Sequence, residues 1–270
     1  MVGDLDYDMV RHPETPLTDA EIGYCINDVR IVMAYIDDCI QQEKTKSLLS
    51  LPITKTGFVR RFCREKCLGE KNSAQRRAYS KIMHGMKLYP ASYSVVRDAY
   101  AGGFTHANAL WSTLMCENVT SYDFTSSYPA VLIAEKYPMS TPKRVRPRSV
   151  AELEHLMKLY CVVFEVAFEN LESTYEYEHY LSYGDHKRVG KNVRTDNGRV
   201  VSADFFRCTL TDVDWDIIKR CYKWTGMRLG KVFKFHRAYL PKEFVMSILE
   251  LYGKKTTLKG VAGQEAEYMG

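Results

Sequence analysis

An α+β architecture is what this 270-residue sequence predicts. Three observations lead there. Residues 18–88 carry apolar positions at helical spacing together with helix-capping signals. Residues 161–168 alternate, with Val162, Phe164, Val166 and Phe168 on one face of a strand. Asp196-Asn197-Gly198-Arg199 has the composition of a tight hairpin turn and leads into a second strand-like run, Val200–Phe206. Helices come first and strands with short helices follow, without an internal repeat, which is the order of an α+β fold.

The elements follow in turn. Thr18 and Glu21 form a capping box ahead of Ile22, Cys25, Ile26, Val29, Val32, Met33 and Ile36, which predicts a helix of roughly 20 residues. Tyr24 and Asp28 lie together on its flank, one turn apart. A half-buried Asp there suits a metal, and a Tyr one turn away can orient an attacking water; a boundary Tyr with a solvated Asp is the plainer alternative. From Ser50 to Leu88 the chain reads as basic helical segments broken at Gly57, Gly69 and Gly85. Ala99 to Thr105 reads as a glycine turn, 119–124 as a strand, and Pro129 to Tyr137 as a helix. Pro138, Pro142 and Pro147 mark a boundary. Ser149 with Glu152 is a second capping box, opening a helix through Leu153, Leu156 and Met157. Thr211, with Asp214 at the third position, caps a helix carrying Val213, Ile217, Ile218 and Cys221. A strand is expected over 228–236 and a last helix from Lys242 to Tyr252.

Composition narrows the function classes. With 46% hydrophobic residues and nine prolines the chain is globular rather than disordered. No apolar run approaches the roughly 20 residues of a membrane span, so no membrane partner is expected. The acidic start, Met1-Val2-Gly3-Asp4-Leu5-Asp6, lacks a signal-peptide core. The eight cysteines show no metal-ligand pairing, and Cys63 and Cys67, i,i+4 on a helix, have no second pair to complete a zinc site. Reduced, mostly buried thiols in a cytoplasmic protein are the expectation. The net charge of +5 is unevenly spread. Between Thr54 and Leu88, ten basic residues (Lys55, Arg60, Arg61, Arg64, Lys66, Lys71, Arg76, Arg77, Lys81, Lys87) face two acids, Glu65 and Glu70. Lys143, Arg144, Arg146 and Arg148 form a second cluster; Lys187, Arg188, Lys191, Arg194 and Arg199 form a third. Clustered cations suit a phosphate backbone, and Phe58, Phe62, Tyr79 and Tyr89 among them suit stacking.

The chemistry centres on Tyr122-Asp123-Phe124-Thr125-Ser126-Ser127-Tyr128-Pro129-Ala130. Asp123 leaves an extended apolar run, and Tyr128 sits five residues on, against a proline. A strand can carry the acid to the edge of a site, and the turn at Pro129 holds Tyr128 beside whatever the acid binds; an ordinary strand-to-helix turn with an exposed Asp is the alternative. The string resembles the first palm motif of family B DNA polymerases, an Asp followed by Ser-Leu-Tyr-Pro, with Ser127 where that family usually has Leu. Tyr100-Ala101-Gly102-Gly103-Phe104 resembles the family's Tyr-x-Gly-Gly sequence between exonuclease and polymerase halves. Tyr24-Cys25-Ile26-Asn27-Asp28 resembles its third exonuclease motif. Lys255-Thr256-Thr257 resembles the Lys-Thr-Thr that precedes its fingers motif. The likeness is to the protein-primed branch of small phages with linear genomes.

That resemblance implies a domain plan: 1–48 the C-terminal end of a 3′–5′ exonuclease, 49–135 the start of the palm, 136–247 a terminal-protein-contacting insertion, and 248–270 the beginning of the fingers. It implies two-metal nucleotidyl transfer with Mg2+ held by Asp123 in the polymerase site and by Asp28, beside Tyr24, in the exonuclease site. Phe124 would offer its carbonyl, Tyr128 would press on the nucleotide sugar, and Ser126 and Ser127 would position the triphosphate or primer end. Tyr100, Gly102, Gly103, Phe104, Arg60, Arg61, Arg76, Arg77 and Lys255 would contact DNA. Implied partners are a DNA primer-template, dNTPs, a priming terminal protein and the remaining polymerase segments in trans, in the cytoplasm of a bacterial host. The family's Lys-x-x-x-Asn-Ser-x-Tyr-Gly and Asp-Thr-Asp motifs, and its first two exonuclease motifs, do not occur. The chain therefore reads as an internal piece, inactive alone. The alternative is a non-catalytic nucleic-acid- or protein-binding module derived from a polymerase.

Overall fold

The computed structural model describes residues 10, 12–42, 47–52, 54–108, 110–184, 188–261 and 263. The acidic N-terminal stretch, Lys187 and the last residues lie outside them. The chain divides into two compact units, Met1–Phe62 and Cys63–Met269.

In the first unit, α1 (Asp19–Gln42) is the helix that the capping box announces. The Thr18 N–H donates to the Glu21 carboxylate at 2.7 Å, and the Glu21 N–H donates back to the Thr18 hydroxyl at 3.3 Å. Its apolar stripe, Ile22, Ile26, Val29 and Met33, is exposed. Asp28 is exposed too, not half-buried as expected, because no described element of this unit covers the face beside it. A single 3-10 turn (Leu48–Ser50) leads to the start of α2 (Lys55–Leu68). Gly57 does not break that helix. It sits in the first turn, where a Cβ would come within 2.7 Å of the Pro52 Cβ, so close packing, not chain reversal, requires the glycine.

The second unit begins within α2, whose end is closed by side chains. Gln75 donates to the carbonyls of Lys66 at 2.6 Å and Cys67 at 3.1 Å. Arg76 donates to Gly69 and Glu70 at 3.1 and 3.2 Å. These bonds satisfy carbonyls a helix terminus leaves orphaned. α3 (Ala74–Gly85) and α4 (Pro90–Ala99) follow, α4 opening on proline at its first position. The expected turn at 99–105 is not formed: α4 runs through Ala99, and 100–108 continue without regular structure. The strand expected over 119–124 is absent as well. No described strand lies beside it, and an extended segment without a ladder leaves its N–H and C=O groups to water. α5 (Ser127–Ala134) follows it.

An antiparallel sheet organises the rest. Its strands are β1 (Tyr137–Pro138), β2 (Lys143–Val145), β3 (Tyr160–Ser173), β4 (Val189–Lys191), β5 (Arg194–Asp196), β6 (Arg199–Thr211), β7 (Tyr222–Lys223) and β8 (Gly226–Ala238). β3 is central, paired along its length with β6 on one side and β8 on the other. α6 (Val150–Leu159), α7 (Asp212–Cys221) and α8 (Lys242–Leu258) complete the unit. The Asn197-Gly198 turn between β5 and β6 has both residues in the left-handed region, as a tight hairpin demands.

The alternation of β3 is realised. Val162, Phe164, Val166 and Phe168 are buried against Leu153 and Met157 of α6 and Trp215 and Ile218 of α7. The opposite face is covered at one end by α4, where Val95 and Ala99 pack on Cys161, Val163, Phe233 and Phe235. Each buried side chain of this kind contributes about 1.5–3 kcal/mol. Trp215 also donates its indole N–H to Glu154 at 3.1 Å. The caps behave as expected at α7, where Thr211 and Asp214 bond reciprocally. At α6 only half the box forms, because Glu152 accepts from the Arg148 N–H instead of from Ser149. No disulfide links the eight cysteines. Among the described residues no helix is long and apolar enough to cross a membrane.

Candidate functional site

The turn carrying Asp123 is presented rather than packed. Tyr122, Phe124 and Tyr128 are 91, 86 and 83% exposed. Asp123 is exposed and has no hydrogen-bond or ion-pair partner among the described residues. Ser126 caps α5 in the left-handed region, φ 53°, unusual for a residue with a side chain, while its carbonyl accepts the first helical bond from the Ala130 N–H at 3.0 Å. Its hydroxyl makes no cap bond, so the Ser126 side chain is not used to hold the turn. Such strain persists where surrounding structure enforces it and often marks a working turn. Asp28 and Tyr24, in the other unit, stand one turn apart on α1 with Asp28 facing solvent.

The basic residues divide by role. Arg60 is exposed. Arg61 donates to the Ser50 carbonyl at 2.8 Å and lies 5.6 Å over the Phe58 ring. Arg77 donates to the Asn72 carbonyl at 2.7 Å, and Arg76 closes the end of α2. These acceptors are neutral, so the charge of each guanidinium survives, but Arg76 is a structural residue as much as a candidate contact. Lys255 is exposed on α8.

The segment Tyr100–Asn108 is tied to the sheet by residues far away in sequence. Arg199, first residue of β6, donates to the carbonyls of Tyr180 and Thr105, both at 2.8 Å, and its guanidinium sits 4.6 Å over the Phe104 ring. Phe104 stacks on Tyr180 at 6.1 Å and 13°. Asn197 donates to the Ala107 carbonyl at 2.8 Å, and the buried His106 bonds the Tyr177 carbonyl at 2.6 Å. The Tyr180 hydroxyl donates to Asp214 at 2.5 Å; burial, and next that bond, raise its pKa well above the usual phenol value. Sequence reading placed Arg199 in a hairpin turn and a basic cluster and did not single out Tyr180 or His106. No local pattern carries a contact spanning some ninety positions, as the Arg199–Thr105 bond does.

Among the described residues no group of three or more His, Cys, Asp or Glu side chains could hold a metal ion. Asp123 and Asp28 each bring one carboxylate, and two-metal chemistry needs at least two converging on each centre. The residues present do not by themselves fit that cofactor.

The fold has known counterparts. It is similar to part of Phi29 DNA polymerase: the ternary complex with primer-template DNA and incoming nucleotides matches at TM-score 0.58 and 18% identity, covering 95% of this chain and 41% of that one. An orthorhombic crystal form of the same enzyme matches at 0.54 and 17%, over 95 and 41% of the two chains. The binary complex with primer-template DNA matches at 0.52 and 17%, over 96 and 40%. This chain thus spans 41% of the first of these structures, and at such identity the likeness is one of fold. No curated protein sequence matches. The family model for DNA polymerase type B, organellar and viral, matches residues 3–267, and the chain belongs to that family.

Proposed function

We propose that this chain is a segment of a protein-primed, template-directed DNA polymerase. In this reading residues 1–48 end a proofreading exonuclease, 49–135 open the palm, 136–247 form the insertion that contacts a priming terminal protein, and 248–270 begin the fingers. Asp123 contributes one metal carboxylate to the polymerase centre, and Asp28 contributes one to the exonuclease centre with Tyr24 beside it. Phe124, Ser126, Ser127 and Tyr128 face the incoming nucleotide, and the basic residues with Tyr100–Phe104 track the DNA. The observation that carries the reading is the family match over residues 3–267, which takes in every one of these positions. The exposure of Phe124 and Tyr128 supports it, since side chains that serve the chain's own core are not left 86 and 83% exposed.

Mg2+ is the implied ion, and among the described residues the donor set for it is incomplete. What the chain's own residues do is narrower. They present one acid just ahead of the strained Ser126 turn and an aromatic, Tyr128, five residues on in the first turn of α5. Both remain free of the chain's own packing. The incomplete donor set equally favours the second reading, a binding module without catalysis.

The test uses an enzyme completed by the missing segments. Asp123→Ala should lower synthesis at least about a hundredfold and spare exonuclease activity, and Asp28→Ala should do the reverse, because a lost metal ligand removes charge stabilisation that no neighbour replaces. Either variant within about tenfold of the parent in its own activity contradicts that residue's role.

A further inference from the structure

Two histidines far apart in sequence meet inside the second unit. His106 comes from the segment after α4, and its side chain is 3% exposed. His179, between β3 and β4, is 1% exposed. Their rings lie edge to face, with 6.2 Å between centroids. The Tyr177 carbonyl can only accept, so its 2.6 Å bond with His106 Nε2 puts the hydrogen on that nitrogen. The neutral ring then keeps its lone pair on Nδ1, which is buried and has no partner among the described residues. His179 Nδ1 pairs with the Ser173 hydroxyl at 2.8 Å, and a hydroxyl can serve either tautomer. The arrangement suits two neutral imidazoles. A proton on His106 would create a buried N–H without an acceptor. Protons on both rings would set two positive charges 6.2 Å apart inside the fold. The charged groups around the pair do not remove that cost. β5 brings Arg194 and also Asp196, 4.0 Å from His106 Nε2; β6 brings Arg199, bonded to the Thr105 carbonyl. One carboxylate therefore stands against two guanidiniums. Burial, the largest cause, holds the His179 pKa below the usual imidazole value; Asp196 pulls it up, while His106 and Arg194 push it down.

We propose that His106 and His179 form a proton-sensitive latch: neutral, they hold the Tyr100–Asn108 segment on the sheet, and protonated, they release it. Once the segment lifts, water reaches both rings and their charged forms are no longer penalised. The segment's other ties, from Asn197, from Arg199 and from the Phe104–Tyr180 stack, carry no group that titrates near neutral pH, so the histidines set the pH dependence. In the released state an imidazole binds its proton near the ordinary value of about 6.5. A folded-state value below that means that the latch is complete above about pH 6.5 and is lost as pH falls through the lower value. Neither histidine belongs to a polymerase-like motif, and the latch does not depend on that reading. Where that reading holds, acidification loosens the segment set against DNA.

The test is chymotrypsin cleavage of the full chain after Phe104 between about pH 7.5 and about pH 5.5, each rate divided by that of a free peptide of the same segment. Cleavage of a folded chain follows the population of its open form, so this ratio reads release and involves no DNA. It should rise about threefold or more as pH falls across that range. His179→Asn, which can still bond Ser173 but does not titrate, should remove the rise; His106→Gln, which keeps a donor for the Tyr177 carbonyl, should weaken it. NMR titration of the parent's histidine rings is a second measurement that needs no variant, and His179 should titrate below about 6.5. A constant cleavage ratio, the same rise in both variants, or a His179 that titrates at or above about 6.5 overturns the proposal.

Discussion

The sheet built on β3 and the segment around Asp123 belong to one unit, but they are held in place very differently. Trp215 is 1% exposed, rests edge-on against Phe164 at 5.9 Å, and bonds Glu154 through its indole. Phe124 is 86% exposed and packs on nothing comparable. The sheet is stabilised by its own residues, whereas the segment with the polymerase-like motif holds its aromatics and its acid toward solvent. The difference teaches that the packed core and the exposed acid and aromatics lie on separate stretches here, so substitutions should sort cleanly between them.

The largest structural effect is expected at Trp215. Trp215→Ala should destabilise the unit by about 3–5 kcal/mol, through cavity formation and loss of the indole N–H bond to Glu154, measured by chemical denaturation. A loss below about 1 kcal/mol would mean that the sheet is not the stabilising region.

A smaller effect follows from Glu154. The Lys219 ammonium, then the Trp215 indole, hold its carboxyl below the usual range. A folded-state pKa below the unfolded one means that this contribution is present above the ordinary carboxylate value and is lost as pH falls through the depressed one. Asp212 acts in the opposite sense. Burial raises its pKa against the pull of Arg237, so its contribution is present below the ordinary value and fades as pH rises. Glu154→Gln should therefore flatten the fall in stability as pH drops below the ordinary carboxylate range, and an unchanged slope would show that the pair is only a surface contact.

The smallest effect is expected in the other region. Phe124→Ala should change stability by no more than about 0.5 kcal/mol, because little apolar surface is lost from the interior. A cost above about 2 kcal/mol would show that the segment is packed after all and would remove the contrast.

How much of this was legible depended on how local the cause was. The capping boxes at Thr18 and Thr211, the alternation from Val162 to Phe168 and the Asn197-Gly198 turn were all readable, since each depends on residues within a few positions. β3 runs on to Ser173 even though Asn170 breaks the alternation in a left-handed conformation; β6 and β7 carry it past that irregularity, which no local pattern reveals. Sequence reading gave α7 an apolar face that included Val213, which is 66% exposed, and passed over Trp215, the side chain at its centre. Only the position of β3 decides that phase. The strand expected up to Asp123 does not form: the apolar run before it has strand composition, but composition cannot supply a partner strand. The ties from Arg199 to Thr105 and Phe104 depend on the fold alone.

The measurement that bears most directly on the account is Mg2+-dependent primer extension by the purified 270-residue chain. With no group of three or more metal-binding side chains among the described residues, the account predicts no extension above a metal-free control. Extension that requires Mg2+ and disappears in Asp123→Ala would contradict it, by showing that this chain completes a polymerase centre on its own.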